Sequence, residues 1–170
     1  MIPEAEPSAL VDHWVRDAAA FADWIQRQVD ASGGYWLHTP EYVEYPVERS
    51  GAIDVETAAE IEETRLILPD GFILDVEIAG VFRADQSFEY VSYGYHLAAP
   101  GKPLVWRYDK HRKPPFEEKH GTDCHIHRPG GRIEPTPFIG FDEVVLRAQG
   151  EIEAARAPQS VFQRLFRRKN

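Results

Sequence analysis

The sequence predicts an α+β fold: an antiparallel sheet of about four to six strands, an amphipathic N-terminal helix packed on one of its faces, and a C-terminal helix. Three observations predict it. Apolar residues recur at helical spacing near the start of the chain, two β-prone runs each fold about a turn signal in its middle, and a second helical pattern follows them.

The first helix is expected over residues 7–30, with Ser8 as N-cap. Leu10, Trp14, Ala18, Phe21, Ile25 and Val29 form its apolar stripe, and Gly33-Gly34 stops the run. The stretch "YWLHTPEYVEYPVERS" is β-prone but interrupted by Pro40 and Pro46, which suits an edge strand or an extended crossing. "AAEIEETRLILPDGFILDVEIAGVF" then reads as a hairpin about "PDG", and "SFEYVSYGYHLAAPGKPLVWRYD" as another about "APGKP". Strict alternation in the second places Phe88, Tyr90, Ser92, Gly94 and His96 on one side, with Glu89, Val91, Tyr93, Tyr95 and Leu97 on the other. Farther on, "GFDEVVLRAQGEIEAARA" reads as a helix capped by Asp142, with Val145, Leu146, Gln149 and Ile152 near one stripe. The expected organisation is a single domain over residues 1–158 and a basic tail over residues 159–170, where "FQRLFRRKN" gathers Arg164, Arg167, Arg168 and Lys169.

Composition narrows the class of function. Hydrophobic residues make up 43% of the chain and charged residues 28%, as in an ordinary water-soluble domain. No apolar run approaches the roughly 20 residues that a membrane span needs. The opening "MIPEAEPSAL" has no basic segment leading into an apolar one, and the single Cys124 cannot form an intrachain disulfide, so the expected location is a reducing cytoplasm. A net charge of −9 opposes bulk attraction to nucleic acid, but residues 102–132 hold eight Lys/Arg against four Asp/Glu.

Chemistry-bearing residues concentrate in the run "WRYDKHRKPPFEEKHGTDCHIHRP", residues 106–129. In a strand, Trp106 and Tyr108 face the core while Arg107 and Asp109 emerge together on the opposite surface. "CHIH" repeats the device: His125 and His127 share a face, about 7 Å apart along the backbone, and Cys124 and Ile126 take the other. One reading is a metal site built from His125, His127, His120 and Asp109, opposed by the charges of Lys110, Lys113, Lys119 and Arg128. Another is metal-independent phosphodiester cleavage, in which histidines exchange protons with a ribose hydroxyl and a leaving oxygen while cations stabilise the phosphorane. In that reading Lys110, His111, Arg112, Lys113, His120 and Arg128 bind substrate, with neither metal nor cofactor. A third is a polar loop whose histidines pair with Glu117, Glu118 and Asp123. Cys124 as a nucleophile is disfavoured, because strand alternation turns it away from the adjacent histidines.

Taken in order, "TRLILPDGFILDVE", "YVSYGYHL", "LVWRYDKH" and "HGTDCHIH", followed by a helix, resemble the TumE family of toxins from toxin–antitoxin pairs over about residues 61–152. The resemblance implies a compact α+β toxin acting on RNA and neutralised by an antitoxin protein, with a homodimer as a further expectation. It carries over Arg65, His96, Arg107, Asp109, His125 and His127, of which Arg65 joins the substrate-binding set and the others form the candidate catalytic set. Lys110 stands where the family usually has Asn, and "HRKPP" replaces a Pro-His-His-like run. A non-catalytic interaction protein on the same scaffold is the alternative.

Overall fold

The computed structural model describes residues 18–40, 42–47, 56–82, 88–111 and 123–157. The expected cap at Ser8, the first helical turns with Leu10 and Trp14, the cations Arg112, Lys113 and Lys119, His120, and the basic tail all lie outside the described residues.

Helix α1 (Ala18–Ser32) presents Phe21, Trp24, Ile25 and Val29 as its buried face. It ends where Gly33 adopts φ +70°, a conformation that costs glycine little, and the Ser32 hydroxyl donates to the Val29 carbonyl at 2.6 Å. Two short strands follow, β1 (Tyr35–Trp36) and β2 (Tyr42–Val47). Both pair antiparallel with the same long strand, β3 (Glu56–Ile67), β1 at its end and β2 along its start. Edge placement for the proline-interrupted segment therefore holds, and Pro46 sits opposite Thr57 where a missing N–H is tolerated.

Both expected hairpins are present. β3 turns through a short 3-10 segment (Pro69–Gly71) into β4 (Ile73–Phe82), and β5 (Phe88–Ala99) turns at Pro100-Gly101 into β6 (Lys102–Lys110). A third hairpin adds β7 (Cys124–Arg128) and β8 (Arg132–Pro135) about Pro129-Gly130-Gly131. The sheet is antiparallel throughout, with eight strands in the order β1-β3-β4-β5-β6-β7-β8 and β2 beside β1 on the β3 edge. That exceeds the expected number, because β1, β2 and β8 are short edge elements without a clear alternating pattern.

Helix α2 (Phe141–Arg156) buries Phe141, Val144, Val145, Ala148 and Ile152. Leu146, expected on the stripe, is 66% exposed, because it lies about 100° around the helix from Val145. The N-cap is Gly140 rather than Asp142, which stands in the first turn where its charge complements the helix dipole. Both helices cover the same sheet face. Trp24 meets Phe141, which also contacts Tyr95, and the Gln149 side chain donates to the Ala31 carbonyl at 3.2 Å. Leu66, Leu74, Val76, Ile78, Leu97, Trp106, Tyr108 and Ile126 supply the sheet's half of this core. Each such side chain contributes about 1.5–3 kcal/mol by leaving water.

Strict alternation fails at one place in β5. Ala79 pairs with Ser92 but Gly80 pairs with Tyr90, so Val91 is an extra residue, a β-bulge. The bulge returns Phe88 and Tyr90 to the helix-covered face beside Tyr93, Tyr95 and Leu97, contrary to the expectation that grouped them with His96. Gly80 makes room for this: a Cβ there would lie 2.2 Å from Phe88 Cζ. No helix among the described residues is long and apolar enough to cross a membrane.

Candidate functional site

With one sheet face sealed by the helices, every side chain of opposite parity is committed to the other. Cross-strand pairing arranges them in two rows. One row runs Arg65, Asp75, His96, Arg107, His127 and Ile133 across β3 to β8. The adjacent row runs Glu77, Gly94, Asp109, His125 and Pro135 across β4 to β8. All six positions carried over from the family resemblance therefore share one face, although they come from four strands.

Two charged groups organise that face. On β3 and β4, Arg65 holds Asp75 through both oxygens, Nε to Oδ1 at 2.6 Å and Nη2 to Oδ2 at 3.3 Å. His96 lies beside them with Nδ1 3.8 Å from Asp75 Oδ2, and its Nε2 is 2.8 Å from the Pro103 carbonyl. A carbonyl only accepts, so Nε2 carries a proton and the neutral ring keeps its lone pair on Nδ1. On β6 and β7, Arg107 Nε donates to Asp109 Oδ1 at 2.8 Å. Asp109 Oδ2 faces the imidazoles, 3.1 Å from His127 Nε2 and 3.7 Å from His125 Nε2.

Exposure separates the roles these groups can take. Asp109 and His125 are 1% and 2% exposed, whereas His127 retains 27% and Arg107 50%. His127 and Arg107 can touch a ligand, and Asp109 and His125 stand behind them. His111 follows β6 with the parity of Arg107 and Asp109, and its ring centroid is 5.9 Å from that of His125. Asp109, His111 and His125 each offer one atom of a group lying within 4.8 Å of one another, a donor set suited to a metal ion.

Between the two charged groups lies a groove of about 250 Å³ lined by Glu63, Asp75, Glu77, Gly94, His96 and Arg107. Gly94 leaves its floor open, and Glu77 Oε2 and Asp109 Oδ1 would each be 3.6 Å from a Cβ at that position. Glu63, Asp75 and Glu77 were not singled out from sequence. The available signal was the β4 alternation, in which Asp75 and Glu77 fall between buried Leu74, Val76 and Ile78.

Two expected substrate-binding cations face elsewhere. Lys110 has the parity of Tyr108, so its ammonium reaches through the helix-covered side to donate to the Tyr90 carbonyl at 2.7 Å, above the Phe138 ring. Arg128 has the parity of Ile126 and pairs with Glu134. Arg112, Lys113 and His120 lie outside the described residues. Cys124 is buried on the core side, and burial pushes its thiol up, against a nucleophilic role.

A family model described as Toxin TumE matches residues 34–156, from the first edge strand through α2. The match takes in both charged groups and the groove between them. Neither the curated proteins nor the solved structures give a significant match to the chain.

Proposed function

Because the chain belongs to the TumE family of toxins, we propose that it is the toxin of a toxin–antitoxin pair, held by an antitoxin protein and acting on RNA in the cytoplasm by metal-independent phosphodiester cleavage. The observation that carries this reading is the row His96, Arg107, His127, consecutive cross-strand partners with the arginine between two imidazoles. Strands about 4.8 Å apart put the two histidine backbones about 10 Å from one another, which leaves room for a phosphate over the Arg107 guanidinium.

The roles follow from the polar contacts around each ring. Asp109 Oδ2 engages Nε2 of His127, so that ring offers Nδ1 as the base for a ribose 2′-hydroxyl proton. His96, protonated, donates Nε2–H to the Pro103 carbonyl and holds its second proton on Nδ1 beside Asp75, from where the leaving 5′-oxygen takes it. Arg107 stabilises the phosphorane, while buried Asp109 and His125 keep Arg107 and His127 in place. Self-association as a homodimer belongs to the same reading and is checked by light scattering.

The test is RNA cleavage by purified protein in the presence of a chelator, with a 2′,3′-cyclic phosphate expected at the new ends. Intact RNA from folded protein, with no growth defect when the chain is produced without its partner, overturns it. One observation favours a second reading, a non-catalytic interaction module: Glu63, Asp75 and Glu77 line the groove and repel a phosphate. An unreactive protein that still binds its antitoxin through this face would establish that reading.

A further inference from the structure

We propose that Asp109, His111 and His125 form a binding site for one zinc-class divalent ion, and that occupancy of the site switches the histidine face off. The ligand atoms of the three residues lie within 4.8 Å of one another, and Asp109 Oδ2 is 3.7 Å from His125 Nε2. Donors at about 2.0–2.1 Å from a tetrahedral ion are about 3.4 Å apart, so small side-chain rotations close the set. Two imidazoles and one carboxylate suit zinc, cobalt or nickel better than the all-oxygen preference of magnesium or calcium.

The surroundings are built for a ligand of this kind. Asp109 and His125 are almost wholly buried, and their backbones are fixed as direct partners on β6 and β7. His111 is tied by its backbone N–H to the Asp123 carbonyl at 3.0 Å and is partly buried, so its ring is the most solvent-accessible of the three ligands. Arg107 occupies Oδ1 of Asp109 and turns Oδ2 toward the imidazoles, as an outer-shell partner orients a monodentate carboxylate.

The electrostatic objection drawn from sequence changes with the strand parity. Lys110 and Arg128 are directed to the opposite side of the sheet, and Lys113 and Lys119 lie outside the described residues. Among the described residues, the nearby cation on this face is Arg107, whose charge is already engaged by the same carboxylate.

Binding of the ion needs no catalysis. Its inhibitory consequence rests on the RNA-cleavage reading: a metal on Oδ2 withdraws the carboxylate that orients His127. The test uses chelator-stripped full-length chain, titrated with Co²⁺ alone and followed by visible ligand-field absorption, with Zn²⁺ alone measured by equilibrium dialysis. One ion per chain is expected, with affinity lowered at least about 10-fold in His111→Ala and in His125→Ala, and unchanged in His96→Ala. His111→Ala keeps the measurement meaningful if the more buried His125→Ala misfolds. Failure to bind either ion, or binding that is indifferent to His111→Ala, overturns the site. Retained RNA cleavage in zinc-saturated protein overturns the inhibition. Binding that depends on His111 in a protein that never cleaves RNA leaves the metal site standing and removes only the nuclease reading.

Discussion

Arg107 and Asp109 stand two residues apart on β6 and share an ion pair of 2.8 Å, yet the arginine is half exposed and the aspartate buried. The two ends of this pair are thus not equivalent. Arg107→Ala leaves a carboxylate in a buried position without its cation, whereas Asp109→Asn removes the charge that needed one. Arg107→Ala should therefore cost about 2–3 kcal/mol and Asp109→Asn about 1 kcal/mol, and the double variant should be more stable than the sum of the two losses. Urea denaturation of the four proteins checks this, and strict additivity would refute the coupling.

Gly80→Ala tests the bulge. The added methyl would meet Phe88 Cζ at 2.2 Å and the Glu89 carbonyl oxygen at 2.7 Å, and the second contact is backbone that cannot swing aside. Overpacking of this kind costs about 1–3 kcal/mol. A lower melting temperature is expected, only partly restored by Phe88→Leu. Unchanged stability would place Phe88 elsewhere.

Alkaline stability follows from the tyrosines of β5. Burial holds the phenols of Tyr90, Tyr93 and Tyr95 above their ordinary range, and for Tyr93 the neighbouring Cys124 adds to the effect. Their folded values exceed their unfolded ones, so the stability they contribute is fully present below about pH 10 and is lost as pH rises through the folded values. Above pH 10 the unfolded chain releases three protons that the folded chain retains, which lowers stability by up to about 4 kcal/mol per pH unit. The phenolate absorbance of these three buried tyrosines, which comes on top of that of exposed Tyr35, should appear together with loss of structure, and Tyr95→Phe should make the decline shallower. An absorbance change lost in Tyr95→Phe, arising in a protein that stays folded, would contradict this.

These outcomes also show which parts of the molecule are legible in a sequence. The two long hairpins were, because "PDG" and Pro100-Gly101 sit between runs long enough to alternate. β8 was not, since its four residues are mostly exposed and carry no burial rhythm. The bulge at Val91 was hidden for a different reason: period-two counting has no term for an unpaired residue, and it takes the cross-strand register, Ser92 opposite Ala79 and Tyr90 opposite Gly80, to reveal it. At the site, parity was enough to place Arg107 with Asp109 and His125 with His127. The same parity assigns Lys110 to the Tyr108 side, whereas a count of charges along the chain merges both faces into one cluster. Asp75 and Glu77 were illegible because acids on an open strand face look like solvated charge until their cross-strand partners are known.

The row His96, Arg107, His127 gives the functional prediction its form. His127→Ala removes the proposed base and His96→Ala the proposed acid, and each should lower RNA cleavage about 10²- to 10⁴-fold while relieving growth arrest in cells that lack the antitoxin. His125→Ala differs, since a buried residue behind Asp109 acts through Asp109 and His127: its loss should shift the pH profile and cost stability as well. Arg107→Lys separates charge from geometry, because an ammonium keeps the positive field but not the guanidinium Nε–H that binds Asp109. It should retain RNA binding, lose most of the cleavage, and leave affinity falling with added salt. Binding that is insensitive to salt, or histidine variants as active as the parent, would show that the polar sheet face serves a partner protein and not a phosphodiester.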